Sequence, residues 1–545
     1  MSVTAINSSL LKTMITNGAI NLKNQHKEID ALNVFPVPDG DTGTNMQMTM
    51  MSGVNEMNNC KTDSVVDLSK SLSRGLLMGA RGNSGVILSQ FFRGLYVKMK
   101  QLNKAELSLD DFVECLVSGY EVSYKAVMEP VEGTILTVVR ESAEYLQSVA
   151  TLESLEDLLE KYINQAKKSL ANTPNLLPVL KEAGVVDSGG AGFVKVIEGM
   201  LMAVRGELLQ VAEPVQTLTG AQSTIDAEIK YGYCTEFIVE MKEPEKFSEE
   251  KLRNTLLDMG DSLVLVTDEN ILKVHVHVNF PEKVLEIAHS YGEFVKIKVE
   301  NMRLQHSQII EEAQTNKEEP VKKQEHKKYG LIAVCFGEGI KRTFKDLGVD
   351  YIIDGGQTMN PSTESFVNAV NAVNADNVII IPNNSNVILA AEQAVKLCKN
   401  KAISVLKAKT IAQGYASLMS FDSTVSIEEN AENMTESIKA CVSGEVTYAV
   451  RDTEINGIKI TSGDYMGIKN GEIVISTTSR LDAIKQLIEK SLFDDASIVT
   501  IFTGKDLEEA EIEEVVSYAE GLNNGLEVEV IQGDQEIYSY IISVE

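Results

Sequence analysis

Two aspartates lie one residue apart on a short turn near the N-terminus of this 545-residue chain, in the stretch NVFPVPDGDTGTNM (33–46). Like charges so close repel each other unless a cation lies between them. Mg²⁺ prefers carboxylates and phosphate oxygens as ligands, so Asp39 and Asp41 are candidates to hold magnesium beside a phosphorylated molecule. An Asp-Gly turn with a capping aspartate would give them a structural role instead. An EF-hand calcium loop is excluded, because Thr44 and Met50 stand where that loop needs Gly and Glu.

Four polar, glycine-bearing loops in the N-terminal part each precede an apolar helical pattern. They are DGDTGTN (39–45), RGNSG (81–85), EGT (132–134) and DSGG (187–190). Successive loops leave room for one helix up and one helix down, so in an up-and-down bundle all four would lie at one end. Helix N-termini carry unpaired N–H groups and partial positive charge, and such a cluster would bind phosphate. Thr44, Asn83, Ser84 and Thr134 are candidate caps or phosphate donors.

The composition limits the classes of partner. Asp and Glu number 79 against 50 Lys and Arg, a net charge of -29, which disfavours nucleic acid and anionic membranes as general partners. No apolar run reaches the roughly eighteen residues of a membrane span, so stable membrane insertion is not expected. The six cysteines are scattered without a CxxC pair, which indicates reduced thiols and a cytoplasmic location.

Changes in hydrophobic periodicity predict three domains and two linkers. In residues 1–205 apolar positions recur every three or four residues, as helices require, and residues 206–228 lose this pattern. Residues 229–310 combine alternating and helical stretches, which predicts a small α/β domain. Residues 311–328 are almost wholly charged or polar and predict a tether. Residues 329–545 alternate apolar runs with helical stretches, which is typical of a parallel sheet with crossover helices.

The middle domain contains a second candidate metal site. In LKVHVHVNF, His275 and His277 take alternate positions of one predicted strand and so share a face. Cys234 begins another predicted strand. Two imidazoles and a thiolate form a suitable zinc set, with His306 or Glu236 as alternatives for the fourth ligand. A His-x-His pair on a strand is also commonly solvated or satisfied by hydrogen bonds.

Four motifs in fixed order resemble the Dak2-type nucleotide-binding domain of the dihydroxyacetone kinase family. They are VPDGDTGTNM, GARGNSGVILSQFFRG, PVEGTILTV and AGVVDSGGAGF. The layout of the whole chain, with KVHVH in a middle domain, resembles the kinase component of the bacterial fatty acid kinases. The resemblance implies a multidomain protein, in which an all-α eight-helix barrel with MgATP at one end precedes two α/β domains. It implies a kinase that phosphorylates the carboxylate of a fatty acid on a partner carrier protein, giving acyl phosphate for phospholipid synthesis. A homodimer is compatible with the resemblance, and nothing else indicates one.

The resemblance also assigns site residues. The metal-binding aspartates of the family fall on Asp39 and Asp41. Dihydroxyacetone kinases have a third aspartate there, which Asn33 matches best, with Asp30 as the rival. The residues expected to contact the nucleotide are Thr42, Gly43, Thr44, Asn45, Gly82, Asn83, Ser84, Gly133, Thr134, Asp187 and Gly189. The middle domain of the family is thought to hold zinc, which favours a metal at the cysteine and histidine positions named above.

The acceptor chemistry favours a carboxylate. An alcohol needs a base to take its proton, and the one histidine of the N-terminal domain, His26, is interpreted as a surface residue. A fatty carboxylate is already ionised, so positioning and charge neutralisation suffice. Arg81 either stabilises the developing charge or is a salt-bridged surface residue. An insoluble acyl chain calls for a carrier, and residues 329–545 are predicted to dock it.

Two other functions stay open at this point. One is a Dak2-type kinase that acts on a small ketone or alcohol such as dihydroxyacetone. The other is a nucleotide-sensing scaffold that controls a partner through the C-terminal domain without any phosphoryl transfer.

Overall fold

The computed structural model describes residues 3–34, 40–127, 129–210, 233–242, 247, 251–252, 255–256, 259–268, 271–301, 326–355, 360–522 and 525–545. The chain divides into two compact units, of which the first comprises Met1–Pro214 and His326–Glu545 and the second Val215–Glu325. Within the described ranges, no helix is both long enough and apolar enough to cross a bilayer.

The N-terminal part of the first unit is helical, as predicted. Its helices are α1 (Ser8–Asp30), α2 (Thr42–Asn59), α3 (Val65–Gly79), α4 (Gly82–Leu102), α5 (Leu109–Ala126), α6 (Ile135–Ser148), α7 (Leu155–Leu176), the short α8 (Pro178–Ala183) and α9 (Ser188–Val204). The two-residue strands β1 (Ala5–Ile6) and β2 (Leu107–Ser108) pair antiparallel. Each helix from α1 to α7 packs against the next, and α9 packs against both α7 and α1. Apolar residues of all the long helices therefore join one core.

Polar residues define where most of these helices begin. A side-chain oxygen at the residue before the helix accepts a backbone N–H of the first turn, which satisfies one of the donors that a helix start leaves unpaired. The residues that do so are Asn7, Ser64, Ser108, Thr134, Ser154 and Asp187. Helices α2, α4 and the short α8 differ, because the side chains of their N-cap residues, Asp41, Arg81 and Leu177, make no capping hydrogen bond.

The second unit combines a sheet with a helix. Its described strands are β3 (Tyr233–Met241), β4 (Gly260–Asp268), β5 (Ile271–Val278) and β6 (Gly292–Asn301), and its helix is α10 (Pro281–His289). The strands pair antiparallel in the order β4–β5–β3–β6. Alternate residues of β5, including Val274, Val276 and Val278, are buried in the core of this unit. That alternation is typical of an antiparallel sheet with one face covered.

The C-terminal part of the first unit begins with a four-stranded parallel sheet. Its elements are β7 (Lys327–Cys335), α11 (Glu338–Asp346), β8 (Tyr351–Asp354), α12 (Thr363–Ala372), β9 (Ala375–Ile381), α13 (Ile388–Leu397) and β10 (Ala402–Val405). The strand order is β10–β9–β7–β8, with all pairs parallel. The chain runs outward in one direction from β7 to β8 and in the other from β9 to β10. The strand order therefore reverses between β7 and β9.

A six-stranded mixed sheet completes this part. Its elements are α14 (Ile411–Met419), α15 (Ile427–Ala440), β11 (Val442–Tyr448), β12 (Thr453–Ile455), β13 (Ile458–Ile460), β14 (Tyr465–Lys469), β15 (Glu472–Thr477), α16 (Arg480–Ser491), β16 (Ile498–Gly504), α17 (Glu509–Leu522), β17 (Glu527–Gln535) and β18 (Tyr540–Val544). The order is β15–β14–β11–β18–β16–β17, in which β16 and β17 are parallel, while β12 and β13 form a separate hairpin. The predicted combination of strands and helices after the helical region is thus confirmed.

The helical part and the parallel sheet share a hydrophobic core. Ala80 and Val86, at the α3–α4 junction, lie in one buried cluster with Ile332 and Phe366 of the C-terminal part. The backbone N–H of Thr363 also donates to the carbonyl of Ala80 at 3.1 Å. This packing brings the starts of several N-terminal helices next to loops of the C-terminal part.

Candidate active site

A cavity of about 460 Å³ lies between the two parts of the first unit. The starts of α2, α4 and α9 line one side, through Asp41, Asn83 and Ser188 among others. The loops that follow β9 and β10 line the other side, through residues that include Asn383 and Lys409. A cavity of this size, with polar groups converging from several elements, is typical of a small-molecule site.

One of the two aspartates of the predicted magnesium site faces this cavity. Asp41 lines it at the N-cap of α2, and Oδ2 of Asp41 accepts a hydrogen bond from Nδ2 of Asn360 at 2.6 Å. Asn360 is almost fully buried and belongs to the C-terminal part. The orientation of the Asp41 carboxylate is therefore set across the interface between the two parts. Asp39 lies outside the described residues.

Asn33 and Asp30, the alternatives for a third metal ligand, take separate places. The Oδ1 atom of Asn33 accepts hydrogen bonds from the hydroxyls of Thr42 at 2.7 Å and Ser188 at 3.4 Å, so Asn33 joins the starts of α2 and α9 on the cavity wall. Both carboxylate oxygens of Asp30 are bound to Thr44, one to its N–H at 3.0 Å and one to its hydroxyl at 2.8 Å. Asp30 thus caps α2 from α1, while Asn33 faces the cavity.

The start of α4 depends on a glycine. Gly82 has φ +59, and a Cβ atom there would lie 2.5 Å from Nδ2 of Asn45. Glycine tolerates this left-handed backbone and lets α4 approach α2 closely. Asn83 and Ser84 follow on the cavity wall, and Oδ1 of Asn83 is buried without a hydrogen-bond partner among the described residues. A buried polar atom left unpaired is costly, so this oxygen is a candidate ligand contact.

Asp187 ties the start of α9 to that of α6. Its carboxylate accepts the backbone N–H of Gly190 at 2.6 Å and also that of Ile135, the first residue of α6. Burial in the cavity wall raises the pKa of Asp187 to about 6, although part of the side chain is exposed to the cavity. The two N–H donors oppose that shift, because they stabilise the ionised form.

The predicted nucleotide residues fall into two groups. Those on the cavity wall are Thr42, Asn45, Asn83, Ser84 and Asp187. Those in the supporting loops and helix starts are Gly43, Thr44, Gly82, Gly133, Thr134 and Gly189. In the supporting group, a Cβ atom on Gly43 would lie 2.1 Å from the carbonyl oxygen of His26, which explains how α2 packs so closely on α1.

Arg81 reaches the C-terminal part of the unit. Its Nη1 donates to the carbonyl of Asn360 at 2.7 Å, and its backbone N–H donates to the hydroxyl of Thr49 at 3.2 Å. Residue 81 also pairs with Ser362 in an isolated antiparallel bridge. Burial lowers the pKa of Arg81, and the nearby carboxylate of Glu364 opposes this shift. These contacts brace the interface behind Asp41.

The predicted zinc ligands lie on paired strands of the second unit. The register of β3 and β5 places Cys234 opposite His277 and Glu236 opposite His275. The side chains at these positions, and the whole of His306, lie outside the described residues, so the zinc site stays a prediction. Among the side chains that the structure does describe, no group of three or more His, Cys, Asp or Glu is arranged to hold a metal.

Comparison with known proteins identifies the family. The DAK2 domain matches residues 36–202, and the middle and C-terminal domains of the FakA-like fatty acid kinase proteins match residues 230–309 and 330–545. Protein YloV of Bacillus subtilis (strain 168) is 44% identical over 559 aligned residues, which cover 100% of both chains. The chain belongs to the FakA-like fatty acid kinase family. Uncharacterized protein SAB1090 of Staphylococcus aureus (strain bovine RF122 / ET3-1) is 43% identical over 553 residues, again with 100% of both chains covered.

Solved structures resemble parts of this FakA-like chain distantly. The dihydroxyacetone kinase of C. freundii has 12% identity and a TM-score of 0.30, covering 41% of this chain and 49% of that one. The Streptococcus pneumoniae Fatty Acid Kinase (Fak) B3 protein loaded with linoleic acid has 9% identity and a TM-score of 0.29. The match covers 40% of this chain and 99% of that protein.

The sequence analysis did not predict that the C-terminal part contributes residues to this cavity and to the chain around it. Arg451 donates from Nη1 to the carbonyl of Ala31 at 2.6 Å, and from Nη2 to the carbonyls of Asn33 and, at 3.0 Å, Val34. It therefore holds the chain just before the aspartate turn. Lys409 was missed as well. Lys409 lies in the loop after the apolar strand β10 (Ala402–Val405). The sequence gives no direct signal for it, because its place at the ligand-binding edge of the sheet depends on the strand order.

Proposed function

We propose that this FakA-like protein is an ATP- and Mg²⁺-dependent kinase. It phosphorylates the carboxylate of a fatty acid held by a partner carrier protein and so yields acyl phosphate for phospholipid synthesis. The observation that carries the proposal is the cavity at which the starts of α2, α4 and α9 meet Asp41. The packing of the long helices, in sequence from α1 to α7 and back through α9 to α1, supports the proposal that they form an eight-helix barrel.

The residues of the cavity fit MgATP by their chemistry. Helix starts offer backbone N–H groups and partial positive charge to phosphates. Asp41 offers an oxygen ligand of the kind that Mg²⁺ prefers, as does Asp39, two positions earlier in the sequence. Oδ1 of Asn33 would join them in place of its hydrogen bonds with Thr42 and Ser188. Oδ1 of Asn83, for which the described part of the chain provides no hydrogen-bond partner, adds a polar atom that a bound ligand would satisfy. When bound, MgATP supplies the γ-phosphoryl group together with the cation that offsets its charge.

The described cavity wall favours a carboxylate as acceptor. No histidine belongs to its described lining, and Nδ1 of His26 lies 2.7 Å from the carbonyl oxygen of Lys23 on α1. A fatty carboxylate is ionised near neutral pH, so no side chain needs to remove a proton from it. The task of the chain is then to hold both reactants in line and to offset their charge. A hydroxyl acceptor such as dihydroxyacetone would need a base in addition, and the described lining offers carboxylates rather than a histidine for that task.

We also propose a partner and a second metal. Residues 329–545 dock the carrier. The support is that this part supplies the second wall of the cavity, so a lipid carboxylate presented there would lie close to the phosphates of the bound nucleotide. Zn²⁺ is bound by Cys234, His275 and His277, and the support is that the strand register places Cys234 opposite His277 and that these residue types form a common zinc set.

Transfer of label from [γ-³²P]ATP tests the kinase proposal directly. The wild-type chain is expected to form acyl phosphate with an oleate-loaded carrier and to form no phosphorylated product with dihydroxyacetone. Asp41→Asn is expected to lower turnover by about a hundredfold or more, because it removes a charge that holds the metal. Asp110→Asn, at an exposed aspartate on α5, serves as the matched control. The proposal fails if no acceptor is labelled, or if Asp41→Asn transfers label as fast as the control.

A further inference from the structure

We propose that Lys409 of the C-terminal part binds an anionic oxygen of a reactant in this cavity, so that both parts of the first unit build the active site. The inference rests on the proposed function and extends it to a residue that lies far from the helical motifs in the sequence. The anionic group is a phosphate of the nucleotide or the carboxylate of the acceptor, and the two are separable by experiment.

The topology of the parallel sheet places a binding crevice at this point. The strand order reverses between β7 and β9, and in open α/β sheets ligands bind beyond the carboxyl ends of the strands at such a reversal. Phe336 follows β7, Asn383 follows β9 and Lys409 follows β10, and all three line the cavity. The crevice of the sheet and the helix starts therefore open into the same space.

The described lining of the cavity contains one cationic side chain that could bind an anion. Among the described lining residues, Asp41, Asp187 and Glu445 are acidic and Lys409 is the one basic residue. Lys409 is exposed and makes no ion pair within the described ranges. Lys407, two residues earlier, is paired with Glu392. In a chain of net charge -29, a phosphate or carboxylate needs such a local cation.

The backbone that carries Lys409 is fixed by the start of α14. The N–H of Lys409 donates to Oε1 of Gln413 at 2.8 Å, and the hydroxyl of Thr410 accepts the N–H of Gln413 at 3.2 Å. This reciprocal arrangement resembles a capping box and holds the residue before the helix in place. The flexible ammonium group of Lys409 thus extends from an ordered base at the cavity wall.

Asn383, which lines the same cavity as Lys409, gives independent support for a ligand. Asn383 is 4% exposed and lines the cavity, its Nδ2 donates to the carbonyl of Val334 at 2.9 Å, and its Oδ1 has no hydrogen-bond partner among the described residues. A Cβ atom on Gly414 would lie 1.8 Å from that oxygen, so α14 has a glycine where the amide requires space. Keeping a buried oxygen unpaired is costly, which favours a bound molecule that completes the site.

Binding and steady-state measurements on the full-length chain test the inference. Lys409→Met keeps the aliphatic stem and removes the charge. It is expected to weaken MgADP binding by about tenfold or more, if the ammonium binds phosphate, or to raise KM for the oleate-loaded carrier by a similar factor, if it binds the carboxylate. Lys407→Met, which breaks an exposed ion pair, is expected to stay within about twofold of wild type in both assays. Lys409→Arg is expected to restore part of the loss.

The outcomes separate this inference from the proposed function. If the wild-type chain binds MgADP but transfers no label, the proposed function fails, while MgADP binding still reports on Lys409. If the wild-type chain is active and Lys409→Met matches Lys407→Met in MgADP affinity, KM and kcat, the assignment of Lys409 is overturned and the kinase proposal stands. Absence of MgADP binding and of carrier saturation in the wild type would overturn both.

Discussion

Arg451 is expected to control nucleotide binding from outside the helical part. Its guanidinium donates to three backbone carbonyls, those of Ala31, Asn33 and Val34, immediately before the turn that carries the aspartates. Arg451→Met keeps a side chain of comparable length and removes all three donors. The chain before α2 then loses these three contacts with the C-terminal part. The bond between Asn360 and Asp41 and the contacts between Asp30 and Thr44 at the start of α2 remain.

The size of the effect follows from the kind of bond that is lost. A hydrogen bond to a charged group contributes about 1.5–3 kcal/mol. Because Arg451 and its partners are partly exposed, we expect about 2 kcal/mol for the three contacts together rather than their sum. If that free energy holds the turn in its binding geometry, the Kd for MgADP rises about thirtyfold in the variant.

Isothermal titration of MgADP into the full-length chain measures this directly, with thermal unfolding recorded alongside. Arg342→Met is the matched control, since Arg342 is exposed on α11 and its side chain makes no hydrogen bond within the described ranges. Arg451→Lys keeps the charge but lacks the planar fork, so it is expected to recover only part of the affinity. An Arg451→Met chain that binds MgADP within about threefold of the control would refute the role of Arg451 as a clamp.

Two further predictions concern a pKa and a metal. Burial raises the pKa of Asp187 to about 6, whereas an aspartate in the unfolded chain has a pKa of about 3.9. Between these two pH values the folded chain therefore binds more protons than the unfolded chain, so the free energy of unfolding falls as pH rises from about 4 to 6. Asp187→Asn removes this pH dependence and is expected to stabilise the ligand-free chain by about 3 kcal/mol at pH 8. A melting temperature of the variant that falls with pH as steeply as that of the wild type would contradict this prediction. Cys234→Ser is expected to lower the zinc content of the purified protein, measured by mass spectrometry, and unchanged zinc would refute the assignment.

The sequence predicted the helical side of the site because its signals are local. Glycine turns followed by apolar periodicity indicate where helices begin, and the structure starts α2 at Thr42 and α4 at Gly82. Thr134, one of the candidate caps, is the N-cap of α6 and accepts the N–H of Leu136. The predicted placement of the four loops at one end required only helix lengths, and three of them, at α2, α4 and α9, line one cavity.

The other side of the site could not be predicted, because it depends on contacts between residues that are distant in sequence. The bond between Asp41 and Asn360 joins residues 319 positions apart, and the bonds of Arg451 span more than 400. No local pattern encodes such pairs, since they follow from how the two parts pack. The rule that ligands bind where strand order reverses would have indicated Lys409, but strand order is not readable from periodicity.

The packing of Ala80 and Val86 into the cluster around Ile332 has a consequence for how this architecture tolerates insertions. Bringing these segments together closes a loop that includes the whole second unit, Val215–Glu325. The entropy lost on closing a flexible loop grows only with the logarithm of its length, by about 0.6 kcal/mol per doubling. An inserted domain of this size therefore lowers the stability of the first unit very little. The C-terminal part on its own, in contrast, would lack Ala80 and Val86, which belong to its hydrophobic cluster.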